Sequence, residues 1–99
     1  MKIAFVVHHE LASDKVMQLL KENGIDYYTC WEKVKGKGRG SEPHLGTGSF
    51  GAMNSVLMIA FQEEGPLEKL IQAIDEANKK ITRRDDQIRL FQVPLERIV

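Results

Sequence analysis

Apolar residues are distributed along the chain in a pattern that predicts four strands. Short continuous apolar runs, typical of strands buried on both faces, occupy residues 3–7 and 55–61. Residues 27–34 are rich in aromatic and β-branched side chains, which favour a strand. Residues 87–93 form a further apolar segment, and Pro94 stops it from pairing much further. These four segments are the predicted strands.

Two other segments have apolar residues at helical spacing. The first helix is predicted to start near Ser13, where Ser13 or a neighbour can act as the N-cap, and to end at Asn23–Gly24, with Gly24 in the left-handed conformation. The second begins at Gly65–Pro66, because a proline in the first turn has no hydrogen bond to lose. Its predicted buried stripe consists of Leu67, Leu70, Ile71, Ile74 and Ala77.

The predicted order of elements is β-α-β-β-α-β. This order is typical of the ferredoxin-like α+β fold, in which two helices cover one face of a four-stranded antiparallel sheet. Residues 1–99 are therefore predicted to form a single domain. The helices can cover only one face, whereas the first and third strands are apolar on both. We therefore expect the second face to pack against other subunits.

A long glycine-rich segment, residues 35–54, separates the second and third strands. It contains six of the eight glycines and is much longer than an ordinary hairpin loop. We expect it to be flexible without ligand, since it has few large apolar residues to bury. Residues 35–54 are interpreted either as a functional loop or as a disordered hairpin tip. Leu45 and Phe50 are its large apolar residues and are candidates for contact with a partner protein.

Charge and glycine patterns in this segment indicate an anion site. Residues 46–51 match G-x-G-x-x-G, but they lead into a strand and not into a helix, which excludes a dinucleotide-binding motif. Residues 35–39, Lys-Gly-Lys-Gly-Arg, can instead offer backbone amides and cationic side chains to an anion. A second basic segment spans residues 79–89. The net charge of the whole chain is zero, which argues against a nucleic-acid-binding protein.

Two segments resemble one known family. Residues 32–39, Glu-Lys-Val-Lys-Gly-Lys-Gly-Arg, resemble the start of the T-loop in PII nitrogen regulatory proteins, and residues 85–93 are similar to the last strand of those proteins. The chain departs from the family pattern at Gly40, where PII proteins have glutamine, and in a shortened second nucleotide loop. It is therefore identified as a divergent PII-like signalling protein.

The resemblance implies a function as well as a fold. It implies a homotrimer that binds an adenine nucleotide (ATP, ADP or AMP) between subunits and signals through the T-loop to a protein partner, either a transporter or an enzyme. It places the nucleotide or anion site at the loop base and at the second basic segment, that is, at Gly36, Lys37, Gly38, Arg39, Thr82, Arg83 and Arg84.

A metal-binding PII-like protein, active in metal response or tolerance, is the alternative function. Its candidate ligands for a divalent metal are His8, His9 and His44, although adjacent histidines point to opposite faces of an extended strand. Cys30 is expected to be a small buried hydrophobe, and no residue is designated as a base beside it, so we expect no enzymatic activity. No apolar run approaches the length needed to span a bilayer, and a cytoplasmic location is expected.

Overall fold

The computed structural model describes residues 1–37 and 53–99 of the chain. Its strands are β1 (Lys2–His9), β2 (Thr29–Val34), β3 (Asn54–Phe61) and β4 (Arg89–Pro94). Its helices are α1 (Ser13–Glu22) and α2 (Glu64–Lys79), and short 3-10 turns occupy Glu10–Ala12 and Arg84–Asp86. Within these described ranges, neither α1 nor α2 has the length and apolar character needed to cross a membrane.

The strands form one antiparallel sheet in the order β2-β3-β1-β4. One row of paired residues crosses all four strands, with Trp31 opposite Val56, Val56 opposite Val7, and Val7 opposite Arg89. Because all pairs are antiparallel, the last residues of β1 and β2 and the first residues of β3 and β4 lie at the same end of the sheet. The two helices and this sheet confirm the predicted ferredoxin-like fold.

The two faces of the sheet differ in what covers them. On one face, the strand residues pack against the stripes of α1 and α2, and this core is buried; it consists of Ala4, Val6, Val16, Leu19, Leu20, Ile25, Leu57, Ile59, Phe61, Leu67, Leu70, Ile74, Ala77 and Ile88. On the other face, which we call the bare face, Trp31, Phe91 and Val93 are 47%, 57% and 43% exposed. The prediction that β1 and β3 are apolar on both faces is confirmed.

The end of α1 follows the predicted geometry. Gly24 has a φ of 72°, and its N–H donates to the Lys21 carbonyl at 3.2 Å. The N–H of Ile25 donates to the Leu20 carbonyl at 2.9 Å. These two bonds form a Schellman motif, in which the left-handed glycine turns the chain so that buried Ile25 packs into the core.

The start of α1 differs from the prediction. Ser13 is already the first helical residue, and the N-cap residue is Ala12, which makes no side-chain capping bond. A 3-10 turn precedes the helix, and the Leu11 N–H donates to His9 Nδ1 at 3.0 Å. The N-cap is therefore a neighbour of Ser13 and not Ser13 itself, and this neighbour makes no side-chain bond. The imidazole of His9 performs the capping one turn earlier, because β1 extends to His9 and leads directly into this turn.

Candidate functional site

The predicted anion-binding segment begins where β2 ends, and a β-bulge lies just before it. Trp31 pairs with Val56, but Val34 pairs with Asn54, so β2 contains one extra residue between these pairs. Lys33 has a φ of 56° at this bulge, the left-handed conformation that non-glycine residues seldom adopt. The extra residue returns Val34 to the same face as Trp31, the bare face.

Lys35, Gly36 and Lys37 follow the bulge and are the described part of this segment. A Cβ atom at Gly36 would lie 2.6 Å from Nδ2 of Asn54, so the Asn54 side chain occupies the space above the glycine. The φ of Gly36 lies outside the left-handed region. Lys37 is exposed. Gly38 and Arg39 lie outside the described residues.

The second predicted segment, Thr82, Arg83 and Arg84, lies between α2 and β4. All three residues are exposed, and Arg84 begins the second 3-10 turn. Nε of Arg83 lies 3.9 Å from Oδ2 of Asp86. Part of the positive charge of this segment is therefore balanced within the chain, by an exposed ion pair of small energy.

The two basic segments adjoin the two edge strands at the same end of the sheet. Gly36 and Lys37 follow β2, and Thr82–Arg84 precede β4, with the Arg84–Asp86 turn close to the inner strand β1. Three strand spacings separate the edges, a distance of about 14 Å between backbones. The strands that these two segments adjoin are therefore not neighbours in the sheet.

The two described histidines of the metal hypothesis point to opposite faces of β1. His8 is 3% exposed on the helix-covered face, opposite buried Ser55, and its Nδ1 is hydrogen-bonded to the His9 carbonyl oxygen at 2.9 Å. Burial lowers the pKa of His8, although the bond to the His9 carbonyl opposes this effect. The ring of His9 accepts the bond from Leu11.

The described residues therefore offer no converging metal ligands. Among residues 1–37 and 53–99, no group of three or more histidine, cysteine, aspartate or glutamate side chains could hold a metal ion. His44 lies outside these residues. The predicted opposition of His8 and His9 is confirmed.

Cys30 is exposed on edge strand β2, so the expectation that it is buried is wrong. The reason is its position, because an edge strand has a neighbour on one side only. Partial desolvation raises the pKa of the thiol, and the charge of Glu32 raises it further. Both effects favour the protonated thiol, which is a poor nucleophile.

Three residues that the sequence analysis did not select support these segments. Asn54 covers Gly36, Asp86 approaches Arg83, and the Asn78 side chain holds the backbone of Ile88, just before β4. No sequence motif marks Asn54 or Asn78, since each acts on a residue that only the fold brings near. The predicted partner-binding residues Leu45 and Phe50 lie outside the described residues, as does most of the segment 35–54 that is expected to be flexible.

The family model for nitrogen regulatory protein P-II matches residues 1–99, the entire length of the chain. The chain belongs to the P-II nitrogen regulatory protein family. The resemblance noted in residues 32–39 and 85–93 is thereby confirmed. Proteins of the P-II family are regulatory signalling proteins that form trimers and bind nucleotides or other anions.

Solved structures show the P-II fold in the same arrangement. One of 134 matching chains is CPII, a nitrogen regulatory PII-like protein from Thiomonas intermedia K12, bound to ADP, AMP and bicarbonate. It is 14% identical, the alignment covers 97% of this chain and 88% of CPII, and the TM-score is 0.69. At this identity the likeness shows the fold alone. A comparison with curated proteins finds no match.

Proposed function

We propose that this P-II chain forms a homotrimeric regulator in the cytoplasm that senses an adenine nucleotide in the clefts between its subunits. In each cleft, Gly36, Lys37, Gly38 and Arg39 come from one subunit. Thr82, Arg83 and Arg84 come from its neighbour. The long loop then signals the bound state to a protein partner, either a transporter or an enzyme, through contacts that include Leu45 and Phe50.

The placement of the two basic segments is the observation that carries this proposal. They adjoin opposite edge strands at one end of the sheet, and these edges are about 14 Å apart. A second copy whose β4 edge adjoins the β2 edge of the first brings Arg84 close to Lys37. In this arrangement two chains together build the anion site.

The bare face of the sheet supports the trimer. Phe91, Val93 and Trp31 are large apolar residues that remain about half exposed in one chain. They lie beside partly buried apolar residues of β1 and β3, including Phe5 and Met58. Contiguous apolar surface of this kind is typical of an interface, and closed symmetry lets three copies bury it without leaving an open edge.

The chemistry of the two segments suits a phosphorylated ligand. Lysine and arginine side chains form short charge-assisted hydrogen bonds with phosphate oxygens, each contributing about 1.5–3 kcal/mol. The solved structure of CPII holds ADP, AMP and bicarbonate, so this fold accommodates such ligands in a related protein. Adenine nucleotides are therefore the first ligands to test.

Calorimetry with ADP, AMP, ATP and tripolyphosphate tests the proposal. We expect Lys37→Ala, Arg39→Ala and Arg84→Ala each to weaken nucleotide binding by about 10- to 100-fold. Lys21→Ala is the matched control, because Lys21 is an exposed cation on α1, outside both segments. The absence of heat with every nucleotide for the wild-type protein would contradict the proposal.

A mixing experiment tests whether two chains build the site. Lys37→Ala and Arg84→Ala trimers, each with a defect in one half of every cleft, are unfolded together and refolded. Some clefts in the mixed trimers then combine two intact halves, and we expect high-affinity nucleotide binding to reappear in that fraction. If Lys37 and Arg84 of the same chain bind one nucleotide, mixing the two variants does not restore high-affinity binding.

Thermal unfolding in the presence of copper, zinc or nickel tests the alternative function, in which the protein binds a metal. A ligand that binds only the native state raises the melting temperature. A shift with metal ions but none with nucleotides would favour the metal-binding function, and His44→Ala would then reduce the shift.

A further inference from the structure

Gly36 is held against one side chain of the neighbouring strand. A Cβ atom placed on Gly36 would lie 2.6 Å from Nδ2 and 3.7 Å from Cγ of Asn54. Real Cβ atoms do not approach nitrogen atoms to 2.6 Å. Among the described residues, no atom other than these two would lie within 4 Å of that Cβ, apart from the adjacent chain neighbours.

Glycine is therefore required at position 36 because the Asn54 side chain occupies the space beside it, and not because of the backbone conformation. Gly24 has a φ of 72°, where a side chain would strain the backbone. Gly36 has no such φ. A substitution at Gly36 therefore tests the contact with Asn54 without the strain of a left-handed φ, but it also adds a methyl group within the proposed nucleotide site.

Asn54 is itself fixed on both sides. It pairs with Val34 of β2 and with His9 of β1, at the same end of the sheet. The adjacent Met53 carbonyl accepts a hydrogen bond of 2.9 Å from the Glu10 N–H. With its backbone held across three strands, Asn54 gives a fixed support to the chain as it leaves β2.

Lys37 is the next residue after Gly36, so any displacement of Gly36 is passed on to Lys37. Hydrogen bonds to an anion depend strongly on distance and are lost beyond about 3.5 Å. A shift of a fraction of an ångström at the start of the loop therefore changes how well Lys37 reaches a bound phosphate.

We propose that Asn54 is a positioning residue for the anion site, because its carboxamide lies over Gly36 and fixes the backbone that carries Lys37. This inference rests on the proposed nucleotide-binding function. It assigns a role in nucleotide binding to Asn54 of β3, a residue that need not touch the ligand.

A double-mutant cycle between Gly36→Ala and Asn54→Ala tests the inference in the trimeric protein. We expect Gly36→Ala to weaken ADP binding by about tenfold, because the new methyl group and the Asn54 amide must move apart. The melting temperature is expected to change little, because Gly36 follows edge strand β2 and lies outside the buried core. In the Asn54→Ala background, where the obstructing atoms are gone, we expect Gly36→Ala to have no further effect.

Gly65→Ala is the matched control. A Cβ at Gly65 would meet no atom within 4 Å, and Gly65 lies in α2, away from the loop. It is expected to leave ADP affinity unchanged. If Gly36→Ala weakens binding equally in both backgrounds, the methyl group obstructs the ligand directly and the positioning role of Asn54 is wrong. An unchanged affinity in Gly36→Ala would overturn it as well.

A second measurement separates this inference from the proposed function. The backbone order parameter of Lys37 is measured by NMR relaxation in the protein without ligand. We expect it to be lower in Gly36→Ala and in Asn54→Ala than in wild type, and the same in the double variant as in Asn54→Ala. Order parameters unchanged in both single variants would overturn the positioning role. If wild type binds no nucleotide, the proposed function fails, and these order parameters still decide whether Asn54 positions Lys37.

Discussion

The side chain of Asn78 binds both backbone groups of Ile88. Its Oδ1 accepts a hydrogen bond from the Ile88 N–H at 2.8 Å, and its Nδ2 donates to the Ile88 carbonyl at 2.8 Å. Asn78 lies in the last turns of α2, and Ile88 is a fully buried residue just before β4. One amide thus anchors the end of the connection that carries Thr82–Arg84.

The first prediction concerns this anchor. Asn78→Ala leaves the N–H and carbonyl of Ile88 without these partners, and we expect the free energy of unfolding to fall by about 1–3 kcal/mol. The melting temperature of a domain of this size then falls by roughly 4–8 °C for each kcal/mol. Gln72→Ala, an exposed change on the same helix, is the control and is expected to have little effect. Equal melting temperatures for Asn78→Ala and Gln72→Ala would refute the role of the anchor.

The second prediction concerns the effect of acidic pH on folding stability through His8. Burial lowers the pKa of His8 in the folded protein below that of the unfolded chain, near 6.5. The unfolded chain therefore binds a proton first as pH falls. We expect stability to decrease from about pH 6.5 downward until the folded-state pKa is passed, by at most about 1.4 kcal/mol per pH unit.

His8→Asn is the variant that isolates this effect. Its amide nitrogen can donate to the His9 carbonyl as Nδ1 does, but it does not titrate. Urea unfolding from pH 7.5 to 5 is the measurement. We expect a shallower pH dependence in His8→Asn than in wild type. The same slope in both proteins would show that other groups cause the acid sensitivity.

The third prediction concerns the bare face. Phe91 pairs with Phe5 and is 57% exposed in one chain, so its substitution removes little of the chain's own core. We expect Phe91→Asp to dissociate the proposed trimer and to leave the far-UV circular dichroism of the chain intact, because a carboxylate is costly to bury at an interface.

Sedimentation equilibrium measures the assembly. Leu11→Asp is the matched control, since Leu11 is 81% exposed but lies in the 3-10 turn after β1 and not on the sheet. It is expected to remain trimeric. A wild-type mass of 11.3 kDa, that of a single chain, would contradict the trimer directly.

The fourth prediction concerns the ion pair of Arg83 and Asp86. A phosphate that binds Arg83 must compete with the Asp86 carboxylate, which lies 3.9 Å from the guanidinium. We expect Asp86→Asn to raise nucleotide affinity by about two- to fivefold, since an exposed pair of this kind contributes at most about 1 kcal/mol. Asp75→Asn, an exposed change on α2, removes the same charge at a distance. Equal effects of the two variants would attribute the gain to net charge alone.

The sequence by itself determined the elements and their order. Continuous apolar runs mark β1 and β3, and helical spacing marks α1 and α2, because each pattern reflects a local periodicity that burial imposes. Gly24 marks the end of α1 for an equally local reason, since only glycine readily adopts its φ of 72°. The resemblance in residues 32–39 and 85–93 added the family.

Contacts between distant parts of the chain were decided by the tertiary structure alone. The sequence shows glycine at position 36, but only the pairing of β2 with β3 shows that Asn54 occupies the space above it. It shows a cysteine at position 30, but only the strand order shows that this residue lies on an exposed edge. Likewise, two basic segments can be read from the sequence. Their placement beside opposite edge strands follows from the strand order, which depends on how the whole sheet assembles.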